Sequence, residues 1–165
     1  MRIIRLSKTG AVAAIAFFAS LTAFGNITDY GTNWAFVQHV LSMDTVSATS
    51  TIKYRAIDNP TLQTAAYWLI IAAEMLTAIL CWIGAVRLLQ ASGDAAAFNR
   101  AKGFAVAGLT LGFLLWQIGF MSIGGEWFGM WMSEHWNGVP DAFRFFVTIL
   151  MVLVYVVLPD RTDGA

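Results

Sequence analysis

Four long apolar stretches, separated by polar segments of unequal length, set the pattern of this chain. They run from about 9 to 27, 64 to 86, 103 to 123 and 142 to 158. A helix needs about 20 apolar residues to cross a hydrocarbon core, and each stretch approaches or meets that length. The fourth is the shortest. At about 1.5 Å per residue it reaches about 26 Å, and Pro159 stops it because proline cannot continue a helix. Polar residues inside the stretches are few: Glu74 in the second, Gln117 in the third. Tyr67, Glu74 and Cys81 recur at heptad spacing, so they share one helical face with Thr77 and Ala78. The pattern predicts an all-α membrane protein, a bundle of four transmembrane helices.

The polar segments differ in character. The connection 26–63 is too long to be structureless in a compact domain. Asn33 is placed to cap a short helix through Met43, with Trp34, Val37 and Leu41 on one face. Such a segment lies on the membrane surface or folds over the bundle mouth. Asp58-Asn59-Pro60 then turns the chain into the second span. The connection 124–141 is similar. Gly124-Gly125 is expected to break the third helix, Trp127 and Trp131 to share a helical face, and Asp141 to cap the fourth helix. The connection 88–102 is short, polar and Ala-rich. The fold expected is therefore a four-helix bundle with two outer-side segments containing short interfacial helices.

Composition strengthens the membrane reading. Of 165 residues, 58% are apolar and 12% charged, against about 25% charged in soluble domains. Ten acids balance ten lysines and arginines, which leaves no electrostatic footprint for nucleic acid. The lone Cys81 excludes an internal disulfide and a cysteine-based metal cage. Arg2, Arg5, Lys8, Arg87, Arg100, Lys102 and Arg161 fall on one side of the expected bundle, and Lys53, Arg55 and Arg144 on the other. The positive-inside rule then puts both termini in the cytoplasm. Trp34, Trp68, Trp127, Trp131 and Trp136 gather near the outer interface and Trp82 near the inner one, where amphipathic rings prefer to sit. The first stretch has a rival reading. Three basic residues before an apolar run that ends at Ala23-Phe24-Gly25 also fit a cleaved signal peptide.

The first outer segment carries a resemblance. Asn26, Asp29, Tyr30 and Asn33 lead into Trp34, Phe36, Val37, Gln38, His39, Leu41, Met43 and Asp44. With the four-span layout, this series resembles the small bacterial integral membrane proteins grouped as DUF2165. The resemblance covers nearly the whole chain. It implies a multi-pass protein of the bacterial inner membrane whose first span is retained, and it supplies no activity.

Glu74 stands out among candidate sites. About ten residues into its span, it is expected near mid-bilayer, where the charged form of a carboxyl costs at least about 2.5 kcal/mol. Such a residue faces the bundle interior and marks either a protonatable or head-group site or structural glue. Gln117 is expected at comparable height as its hydrogen-bond partner, and Tyr67 lies one heptad outward. Asp29, Asn33, Trp34, His39, Trp127, Trp131 and His135 form a candidate recognition cap on the outer side. Gly108, Gly112 and Gly119 form a small-residue face for close helix packing. His39 and His135 lack metal-ligand spacing, and no span holds the paired histidines of a membrane haem. No cofactor, no metal and no catalytic set is expected.

Three functions fit. The first is a non-enzymatic accessory or assembly subunit of a membrane complex, surrounded by the lipid bilayer and bound to a membrane-protein partner or to its own copies. The second is a small transporter or sensor that uses Glu74. The third is a membrane enzyme acting on lipid or quinone at the outer interface, supported only by the Trp- and acid-rich cap.

Overall fold

The computed structural model describes residues 2–161. In chain order the helices are α1 (Arg2–Thr28), α2 (Tyr30–Ser42), α3 (Pro60–Gln90), α4 (Ala95–Ala101), α5 (Gly103–Leu114) and α6 (Val139–Val157). A π-helical run, Leu115–Trp127, continues α5, and single 3-10 turns lie at Lys53–Arg55 and Met130–Met132. Four helices are long and apolar enough to cross a membrane: α1, α3, the combined run Gly103–Trp127, and α6.

Local chemistry sets the helix starts. Asn59 Oδ1 accepts from the amides of Thr61 and Leu62, and Pro60 occupies the first turn of α3, where its missing N–H costs nothing. At α6 the capping position is Gly138, and Asn137 Oδ1 accepts from the Val139 amide. Asp141, expected as the cap, instead sits inside the first turn and pairs with Arg144.

α3 is the central helix. α1 packs along one side of it and α5 along the other, while α6 closes against α5, the π-helical run and α1. The α3–α5 approach is unusually close because glycines remove the side chains between them. A Cβ on Gly84 would lie 2.5 Å from Ala105 N, and one on Gly108 would lie 2.7 Å from Cys81 Sγ. On Gly112 it would meet Thr77 Cγ2 at 3.0 Å. Gly119 does not share this face: a Cβ there would meet Leu115 Cδ1 of its own helix at 3.7 Å.

Several sequence expectations change. The first stretch, which also reads as a signal peptide, is built into the bundle, with Val12, Ala16 and Ala19 fully buried. Asn33 does not start the outer helix. α2 begins at Tyr30 after a break at Asp29, and the Asn33 amide donates to Asp29 O, bracing that break. Gly124-Gly125 does not end the third span; the chain passes through it as π-helix to Trp127. Trp127 and Trp131 do not share a helical face, because Gly129 turns the chain with φ 65° between them. A π-helix is ordinarily a single-turn bulge and is concentrated at functional sites, so a 13-residue run directs attention to what it lines.

Candidate functional site

Glu74 is 1% exposed and lies on the buried face of α3 with Tyr67, Ile71 and Thr77. Its partner comes from α1. Asn26 Nδ2 donates to Glu74 Oε2 at 2.7 Å, and the Tyr67 hydroxyl donates to Asn26 O at 2.7 Å. Asn26 therefore ties the outer end of α1 to two turns of α3 at once. Gln117 is half-buried, and its side chain makes no hydrogen bond among the described residues; its backbone carbonyl accepts from Ser122 Oγ. The hydrogen bond expected between Glu74 and Gln117 is replaced by the one to Asn26.

The packing also fixes the heights of α1 and α3 relative to one another. Arg5 Nε donates to Ser92 O at 2.7 Å, which aligns the inner ends of α1 and α3. At about 1.5 Å rise per residue, Asn26 stands about 31 Å from Arg5 along α1, and Glu74 about 24 Å from Gln90 along α3. Hydrogen bonding thus places Glu74 level with the C-terminal end of α1. α2 covers it, because α3 extends past the end of α1 and gives α2 a wall to pack on. Tyr30 packs edge-on against Tyr67 at 5.0 Å, and Trp34 Nε1 donates to Thr64 Oγ1.

Two cavities adjoin the site. One, of about 160 Å³, is lined by Glu74, Asn26, Asn33, Thr22 and Tyr67 together with Trp116, Phe120 and Phe145. The other, of about 400 Å³, runs between α2, α3, the end of α5 and the π-helical run, and every residue lining it is apolar. Ala66, Ala73, Gly119 and Gly124 keep its walls low. At the base of the small cavity, Phe18, Trp116 and Phe145 pack with ring centroids 4.8 to 5.8 Å apart.

The outer-cap residues divide into two groups. Asn33, Trp34 and His39 are tied in. The His39 ring stacks on Trp136 at 4.5 Å, and its Nδ1 lies 2.7 Å from Asp44 Oδ2. Trp127 and Trp131 are exposed at the surface, as are Asp29 and His135. Arg55 sits over the Trp127 ring at 4.5 Å and donates to Trp127 O, joining the two outer segments. Among the described residues His39 and His135 belong to no group of three or more potential metal ligands.

The opposite end of the bundle, expected to be the inner one, holds a second polar cluster. Lys8 Nζ and Lys102 Nζ each lie 2.8 Å from Asp160 Oδ2, and both donate to Leu158 O. Asn99 exchanges hydrogen bonds with the Asp160 backbone and accepts from Lys102. These contacts bring both described ends of the chain to the same end of the bundle. The Lys102 ammonium is held below its ordinary range by burial first, with Asp160 drawing it partly back. Burial pushes the Asp160 carboxyl up, but the hydrogen bonds from Lys102 and Lys8 outweigh that and hold it below the usual carboxylate range.

Sequence reasoning missed Asn26 and this clasp. A signal for Asn26 existed: a buried carboxyl needs a donor, and an amide ends the first apolar stretch. The clasp had a weaker one, because basic residues at span ends read equally well as free interfacial charges.

The chain matches a family model described as a predicted small integral membrane protein (DUF2165) over residues 4–159. No curated protein and no solved structure matches it. The matched residues cover all four spans, so the chain belongs to that family and is an integral membrane protein.

Proposed function

We propose that this DUF2165 member is a non-enzymatic accessory component of a bacterial inner-membrane complex, with both termini cytoplasmic and its recognition machinery in the outer half. The observation that carries the reading is the Glu74–Asn26–Tyr67 set, packed beneath α2 beside two cavities. The groups around Glu74 are an amide, a phenol, hydroxyls and aromatic rings. Such groups hold and orient a molecule or a neighbouring chain. The exposed Trp127 and Trp131 give the outer side an aromatic surface of the kind partner proteins and lipid headgroups both use.

Purification in mild detergent followed by mass determination tests this. A stoichiometric complex well above 18.1 kDa that weakens with Trp131→Ala is the expected result. A monomer with no co-purifying membrane protein overturns it.

A second reading, a proton-linked sensor or transporter, is favoured by one detail. Thr77, one turn inward from Glu74, has a buried hydroxyl without a hydrogen-bond partner among the described residues. A hydroxyl so placed would extend a proton path inward from the carboxyl. Liposome flux measurements with Glu74→Gln decide it, and equal fluxes end it.

A further inference from the structure

The two cavities meet behind α2, since Phe36, Val37, Ile70 and Phe120 line both. The pair, one small and partly polar and the other larger and wholly apolar, has the form of a site for a molecule with a compact head and a long tail. Glu74 offers that head a polar contact. Its Oε2 is taken by Asn26, Oε1 takes part in no hydrogen bond among the described residues, and the side chain lines the smaller cavity. A ligand head that enters this cavity can therefore make a hydrogen bond to the carboxyl without breaking the one to Asn26.

We infer that the paired cavities bind a membrane quinone, with its planar carbonyl ring beside Glu74 and its isoprenoid tail along the apolar groove. Three features select this chemistry. A carboxyl buried among apolar groups inside a spanning helix is cheapest in its neutral form, and a neutral carboxyl donates an O–H to a carbonyl oxygen. The rings of Tyr67, Trp116, Phe120 and Phe145 give a flat ring stacked or edge-on neighbours. No lysine or arginine lines either cavity among the described residues, so the charged head of a phospholipid would be buried uncompensated. The groove volume, about 400 Å³, falls in the range of ordinary ligand sites, which are mostly apolar with a few placed polar groups. The ligand class rests on the outer half being the working part of the protein. The quinone is held there, with no bond made or broken.

The test uses the full chain in nanodiscs of phosphatidylcholine. It is titrated with a benzoquinone carrying two isoprene units and, separately, with tail-less duroquinone. Binding is followed by tryptophan quenching, with Trp116→Phe as the control for the reporting ring. Saturable quenching is expected, reduced in amplitude by Trp116→Phe and at least tenfold weaker in affinity in Glu74→Leu. Ala73→Phe, which fills the groove without touching the Glu74 hydrogen bond, is expected to weaken the tailed quinone at least tenfold and to spare duroquinone. That variant keeps the test decisive if Glu74→Leu fails to fold. Quenching that rises linearly and equally in every variant is partition into the bilayer and overturns the site. Equal displacement by phosphatidylglycerol overturns the quinone. Partner co-purification is measured on the same preparations, and a retained complex without quinone binding overturns the ligand while leaving the accessory reading intact.

Discussion

Replacing Asp160 by asparagine keeps the shape of the clasp and removes the one negative charge it has among the described residues. The side chains of Lys8, Asp160 and Lys102 are 3%, 5% and 9% exposed, so water does little to compensate. Both ammonium nitrogens lie 2.8 Å from the same carboxylate oxygen and are therefore at most about twice that distance apart. At an effective dielectric of about 20, their mutual repulsion is then about 3 kcal/mol or more. Removing one partner of a buried ion pair costs about 3–5 kcal/mol, which agrees. For a chain of this size each kcal/mol lowers Tm by about 2–4 °C, so Asp160→Asn should melt roughly 6–20 °C earlier. The assay is thermal denaturation in detergent, followed by size-exclusion of the surviving fraction. Lys8→Met alone leaves a balanced Lys102–Asp160 pair and should cost less. The double variant Lys8→Met with Asp160→Asn should recover a clear part of the loss, because one of the two repelling charges is gone. If Asp160→Asn melts within about 2 °C of the parent, or if Lys8→Met fails to rescue it, the three groups do not form a charge-balanced clasp.

The same clasp predicts a pH profile. Asp160 is held below its ordinary 3.8, so the stability it contributes is full above that value and is lost as pH falls through its depressed folded value. Lys102 is held below its ordinary 10.5, so the folded state binds the proton less tightly and stability from this group rises with pH across the window below 10.5. Acid melts of the parent against Asp160→Asn, and alkaline melts against Lys102→Met, check the two signs. In the outer half, Asn26→Leu leaves Glu74 without its donor and should cost about 1–3 kcal/mol, whereas Asn26→Leu with Glu74→Leu should be nearly neutral; a double variant no more stable than the single one would sink the pairing. Along α3 and α5, Gly84→Ala drives a Cβ to 2.5 Å from a backbone nitrogen and should cost at least about 1–3 kcal/mol. Gly119→Ala meets only ordinary contact at 3.7 Å and should melt close to the parent; equal melting of the two variants would refute the close approach.

Four membrane-crossing helices were legible in the sequence because hydrophobic length is a local property: each backbone must satisfy its own hydrogen bonds in lipid. The turn at Asn59-Pro60 and the small-residue positions Gly108 and Gly112 were legible for the same reason. So was the importance of Glu74, since burial of a carboxyl is costly whatever surrounds it. Its partner was not. Gln117 was the obvious polar residue in a neighbouring span, yet whether two residues meet depends on helix offset, tilt and rotation. Those are set by packing, and the longer α3 slides past α1 until Asn26 is level with Glu74. The roof made by α2 and the two cavities follow from that offset. The clasp depended likewise on α6 returning its end to α1 and α5, which turned three residues that read as separate interfacial charges into one buried cluster. The π-helical run lay beyond the sequence pattern too, because a glycine pair signals a break equally well, and only its neighbours Met130 and Val139, packed against Gly124 and Gly125, show the chain continuing through it. Hydropathy determined that the chain crosses the membrane four times; the relative heights of the helices decided which polar groups meet inside it.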